Sequence, residues 1–193
     1  MRILHIGLLL VSAAVASAQS PQTWPIRDAP AEFRPVIARA DLMIAAMHDS
    51  MIRELNRGFE AGGADQAIKS CHIDSLLMAQ RITREGAAAG RTSDRLRNPT
   101  NTPKAWAAEL VKANAGRMAR DVDGFAVDLG DAVGVMRPLV QRPICANCHG
   151  PTDKLSDVVR QELADRYPAD KAVGFKEGEI RGWFWVEVPK KPR

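Results

Sequence analysis

Beyond its first 20 residues the sequence has no continuous apolar run of spanning length; a bilayer-crossing helix needs roughly 20 such residues, so no later segment reads as a membrane span. Charge of one sign is also scarce. The 27 Lys and Arg against 23 Asp and Glu leave a formal net charge of +4, scattered along the chain. A nucleic-acid surface needs its bases clustered on one face, so no nucleic-acid partner is expected, and the small excess suits at most docking to an acidic partner. Internal repeats and linker-like stretches are missing, which leaves one domain as the expectation for 193 residues. The 46% hydrophobic and 26% charged content is that of an ordinary globular protein rather than a disordered or collagenous one. Cysteine is limited to three residues, Cys71, Cys145 and Cys148, an odd number that disulfides alone cannot absorb.

What is present begins with the features of an export signal. Met1-Arg2 supplies a charged start, Ile6 to Val15 an apolar stretch, and Ala16-Ser17-Ala18 a small-residue cleavage site. Cleavage after about Ala18 is expected to leave residues 19–193 as a single domain, located in the periplasm of a bacterial cell and with no stable membrane insertion. Export makes the cysteine count informative, because an oxidising compartment pairs thiols.

Two of the three cysteines sit in Cys145-Ala146-Asn147-Cys148-His149. In this spacing both thiols add to the vinyl groups of a haem and the adjacent histidine reaches the iron, so the motif points to one covalently bound haem c. Two other chemistries fit the residue types. Cys145 and Cys148 could form a thioredoxin-like redox pair, which normally opens a helix in a βαβ setting; Gly150-Pro151 would interrupt that helix at once. Cys71, Cys145, Cys148 and a histidine could instead hold a structural zinc, which accepts three thiolates and one imidazole.

The remaining chain reads as helices followed by strands. After a proline-rich entry, apolar residues recur at Val36, Ala40, Met43, Met47, Met51, Leu55 and Phe59, an amphipathic helix that ends at Gly62-Gly63. Ala64, Ile68, Cys71, Ser75, Met78 and Ile82 repeat the pattern in a second helix closing before Gly86, so the two form an N-terminal hairpin. Residues 90–101 read as a polar loop, and Thr102-Pro103 as the cap and first position of a helix bearing Trp106 and Leu110. Gly124 to Val140 reads as two strands turning near Gly130-Asp131; a short helix carries Leu155, Val158, Val159 and Leu163. In the final run Phe184, Val186 and Val188 face one way and Trp183, Trp185 and Glu187 the other, as on a strand. The fold class is α+β: a helical hairpin packed on a small antiparallel sheet.

Haem iron has two axial positions. With His149 on one side, the candidates for the other are Cys71, His72, His48 and the methionines, His5 being removed with the signal. At about 100° per residue the second helix centres its apolar stripe near Cys71 and places His72 about 80° away. A buried cysteine is also an ordinary small core residue, and Met43, Met47 and Met51 read as flexible core fillers. Arg91, Arg95 and Arg97 are candidates to pair with haem propionates, since a guanidinium fork matches a carboxylate.

Four ordered blocks extend this reading: Ala67-Ile68-Lys69-Ser70-Cys71; Arg91-Thr92-Ser93 with Arg97 to Pro103 and Trp106; Pro143-Ile144-Cys145 through Gly150; and Tyr167 to Phe175 with Gly178 to Gly182. In these the chain resembles a family of exported single-haem c-type proteins, catalogued as a domain of unknown function, with a PAS-like fold. Lys104 and Ala107 depart from it, standing beside Trp106 where the family usually has acidic residues. The resemblance implies that the second axial ligand is a cysteine in the second helix, here Cys71. An anionic thiolate stabilises ferric iron, which implies a low reduction potential. The function expected is redox or ligand sensing or low-potential electron transfer without substrate turnover, with a redox protein or a small gaseous ligand as partner. The alternatives are a haem enzyme of the peroxidase or small-molecule reductase type, and a structural zinc or disulfide protein.

Overall fold

The computed structural model describes residues 21–69 and 86–191. The expected export signal and most of the expected second helix, with Cys71 and His72, lie outside these residues. The first long helix, α1 (Arg34–Gly62), starts with a proline in its first turn, where a missing N–H costs nothing. It buries Val36, Ala40 and Met47 of the stripe that sequence periodicity predicts and adds Ile37 and Ile44, while Met43, Met51, Leu55 and Phe59 of that stripe are only partly buried. Gly63 ends it at φ 94°, donating its N–H to the Phe59 carbonyl. Residues 64–69 are helical and turn back against α1. This return demands a glycine: a Cβ on Gly58 would lie 2.3 Å from the Cα of Ala67.

Among the described residues five strands form one antiparallel sheet: β1 (Thr23–Pro25), β2 (Ala88–Thr92), β3 (Phe125–Asp128), β4 (Ala132–Val140) and β5 (Ile180–Pro189), in the order β1-β3-β4-β5-β2. The β3–β4 pair and the final strand stand where the sequence puts them. The fold is α+β, as expected. Strands β1 and β2 are additions to the sequence reading. The Ala-Ala-Gly-Arg-Thr of β2 has no apolar alternation of its own, and its register comes from pairing with β5, Gly90 opposite Trp185 and Thr92 opposite Trp183. Residues 90–92 are therefore strand rather than loop.

Each sheet face has its own core. Phe184, Val186 and Val188 of β5 pack with Val133 and Val135 of β4 beneath α1. Trp183 and Trp185 face the other way with Met136 and Val111, the split expected from the period of two. Helix α2 (Ala108–Ala113) covers that second face. It begins later than expected: Thr102 does not cap it but closes a short 3-10 turn by donating its hydroxyl to the Pro99 carbonyl, 2.7 Å. Trp106 precedes the helix and donates its indole N–H to Glu187, 2.7 Å. Both departures beside it have a physical reason. Ala107 is fully buried, and the Lys104 ammonium stands 4.8 Å over the ring of Trp185.

Two short helices lie between β4 and β5 in the chain, α3 (Ala146–His149) and α4 (Asp157–Arg166). Ser156 caps α4 through its hydroxyl, accepting from the Val159 N–H. Of the expected apolar set, Leu155, Val159 and Leu163 are buried but Val158 is 59% exposed. The buried three join Ile68 and Cys148 in a third small core. That core fastens the start of the second helix to the cysteine motif.

Candidate functional site

Strand β4 delivers the motif. Pro143–Cys145 forms a 3-10 turn directly after it, and α3 carries the motif on to His149 in a single helical turn. Gly150 stops the helix there. A redox pair at the head of a long helix within a βαβ unit is a different arrangement, since this sheet is antiparallel throughout and the helix has four residues. Cys145 and Cys148 are both buried, and no disulfide joins them. Among the described residues no group of three His, Cys, Asp or Glu is placed to hold a metal ion.

Cys145, Cys148 and His149 line one open cleft, enclosing about 1110 Å³ with its mouth included. Its apolar wall comes from Met51, Ile52 and Leu55 of α1, Ala67 and Ile68 of the return, and Leu139 of β4. Arg91, Arg95, Arg97 and Arg181 line the same cleft. The structure thus brings the three expected arginines to the motif. It also places a partner on each of them. Arg95 is ion-paired with Glu179, donates to the Val173 carbonyl and stacks 3.5 Å over the ring of Phe175. Arg97 is ion-paired with Asp170 at 3.0 Å. Arg91 lies at the Met51 sulfur, 3.1 Å.

Sequence reasoning missed Arg181. Pairing between β4 and β5 slips by one residue here: Leu139 stands opposite Gly182 and Val140 opposite Ile180, so Arg181 is the extra residue of a bulge. Bulges re-aim a side chain out of the alternating pattern, and this one sends the guanidinium towards His149, Nη1 to Nε2 3.4 Å. The bulge also brings the strand backbones so close that a Cβ on Gly182 would lie 2.5 Å from the Thr92 carbonyl oxygen. Arg181 Nε and Thr92 Oγ1 are sealed from solvent and have no hydrogen-bond partner. Burial pulls the Arg181 pKa down to about 10, against the opposing pull of the Cys145 sulfur. The visible signal was the Ile180-Arg181-Gly182 triplet, a charge and a glycine within an otherwise apolar strand.

His149 is fixed through its other nitrogen, with Nδ1 2.7 Å from the Ala172 carbonyl oxygen. Since a carbonyl only accepts, Nδ1 carries the proton and Nε2 keeps its lone pair. Burial, with the Arg181 and Arg97 guanidiniums adding to it, holds the imidazole well below its ordinary pKa. A neutral ring with Nε2 directed at the cleft is the form that ligates a metal. The other axial candidates divide. Met51 lines the cleft, Met47 is buried in the core, and His48 packs edge-on against Phe184 outside it. Cys71 and His72 lie outside the described residues.

The family description Tll0287-like matches residues 17–189. The chain belongs to the Tll0287-like family. This is the membership that the four sequence blocks point to. No curated protein matches the chain. Among solved structures, the crystal structure of the cyanobacterial heme-protein Tll0287 superposes with a TM-score of 0.60 at 18% identity, covering 83% of this chain and 98% of that one. At that identity the likeness is one of fold.

Proposed function

We propose that this chain is an exported protein carrying one c-type haem, bonded through Cys145 and Cys148 and ligated by His149 Nε2. Its role in this reading is redox or ligand sensing or low-potential electron transfer. The observation that carries it is the convergence of Cys145 and Cys148, which no disulfide joins, and a neutral imidazole on one cleft. The family likeness to a heme-protein supports it.

The residues present fit the group. The aliphatic wall suits a flat apolar macrocycle, and the unpartnered donors Arg181 Nε and Thr92 Oγ1 suit the carboxylates that haem would bring. Arg181 thereby joins Arg91, Arg95 and Arg97 as a propionate partner. Bound haem supplies one-electron iron chemistry whose potential the protein sets through ligand identity, burial and hydrogen bonding. To hold the iron, His149 Nε2 would give up its contacts with Arg97 and Arg181, while Nδ1 would keep its proton and its hydrogen bond to the Ala172 carbonyl.

The second axial ligand in this reading is Cys71. It follows Ala67 and Ile68, which both line the cleft, by four and three residues, the spacing of one helical face. Expression with c-haem maturation machinery, followed by oxidised and reduced visible spectra of wild type and Cys71→Ser, tests the assignment. The substitution is expected to change the spectrum and raise the potential; an unchanged spectrum and potential would remove Cys71 as ligand.

A further inference from the structure

We infer that Arg97, paired with Asp170, is the positioning residue for His149. The inference rests on the haem reading above. Arg97 spends its donors on the two segments that meet at the histidine. Its Nη2 donates to the Cys148 carbonyl at 2.6 Å and the Ala172 carbonyl at 3.3 Å, and its Nε donates to Asp170 Oδ2 at 3.0 Å. Asp170 in turn accepts the Ala172 N–H on its other oxygen, 2.8 Å. Ala172 is therefore held at both ends of its backbone, its N–H by Asp170 and its carbonyl beside Arg97, and this carbonyl accepts the hydrogen bond from His149 Nδ1–H.

The guanidinium is well enclosed, at 15% exposure against 10% for its Asp170 partner, so the pair is shielded from solvent screening. The segment it holds has no other regular structure. Residues 169–176 are neither helix nor strand. The backbone joins this segment to the motif further along, Gly174 N–H donating to the Gly150 carbonyl at 2.8 Å and Phe175 N–H to the His149 carbonyl at 3.0 Å, and Arg97 adds the side-chain tie at Ala172 itself. The fork is essential to this role, because one planar group must address two carbonyls and a carboxylate at once, which a lysine ammonium does not reproduce.

A positioning role and a simple charge effect predict opposite patterns. If Arg97 and Asp170 acted on the iron only through their charges, Arg97→Ala and Asp170→Asn would shift the reduction potential in opposite directions, and Arg97→Lys would be silent. If they position His149, all three variants weaken the same bond.

The test is the haem-loaded full-length protein carrying Arg97→Ala, Arg97→Lys or Asp170→Asn, with Arg117→Ala as the control, an arginine that donates to Asn114 and to the Asp121 carbonyl outside the cleft. Spin state is read from the visible and electron paramagnetic resonance spectra, and the midpoint by titration. The expected result is a gain of high-spin iron in all three variants and none in the control. Opposite potential shifts at unchanged spin state, or a silent Arg97→Lys, would overturn the inference. Arg97→Lys and Asp170→Asn are conservative enough to keep the test open should Arg97→Ala fail to fold. A wild type that takes up no covalent haem would defeat the haem reading instead, a separate outcome visible before any variant is made.

Discussion

The Nδ1 nitrogen of His149 lies 2.7 Å from the carbonyl oxygen of Ala172, a residue 23 positions further along the chain. This contact decides the tautomer of the ring and leaves Nε2 as the acceptor in the cleft. Replacing His149 by Ala is expected to leave both thiols able to bond haem while removing the iron's ligand. The attached haem should be high-spin and should bind carbon monoxide more readily than the wild type, as followed by visible spectroscopy. A low-spin spectrum identical to wild type would show that His149 is not the ligand.

The bulge at Arg181 depends on its neighbour. A methyl group on Gly182 would meet the Thr92 carbonyl at 2.5 Å, so Gly182→Ala must push β2 away from β5. The expected cost is about 1–3 kcal/mol, the range for overpacking a fitted site, measured as a lower urea midpoint. An unchanged midpoint would mean that the strands separate freely here.

The β3–β4 turn should make a small acid-sensitive contribution. The hydrogen bond from Lys190, 2.7 Å from Asp128, holds the Asp128 carboxyl below its usual pKa, helped by the Gly130 N–H and opposed by burial. The folded state therefore binds fewer protons than the unfolded state at this residue. Stability from it is fully present above the ordinary aspartate value of roughly 3.9 and is lost as pH falls through the lower folded value. Asp128→Asn should flatten that part of the pH dependence by at most about 1 kcal/mol, since the pair is partly solvated. Denaturant midpoints from about pH 6 to about pH 3 check it.

Legibility in the sequence followed how local each cause was. The α1 stripe, its glycine stop, the β3–β4 turn and the two faces of β5 are written in periodicity and turn residues, and each was readable. Strand β2 was not, because its register is imposed by β5 and its own residues carry no strand pattern. The start of α2 was misplaced because Thr102 hydrogen-bonds back to Pro99 instead of capping forward. At the site, the motif is contiguous and so legible, and the structure brings Arg91, Arg95 and Arg97 to the cleft that it lines. The engagement of Arg95 with Glu179 and of Arg97 with Asp170 joins residues 84 and 73 positions apart, beyond any local pattern. Arg181 was hidden for another reason: a single bulge takes it out of the strand alternation from which its direction would be read.

The central claim is that Cys145 and Cys148 bond one haem. Intact-mass measurement under denaturing conditions, on protein made with c-haem maturation machinery and compared with Cys145→Ala/Cys148→Ala, tests it most directly. The account predicts a wild-type mass increased by one haem that survives denaturation and is absent from the double variant. A wild-type chain of unmodified mass, with both thiols free or joined in a disulfide, would contradict it.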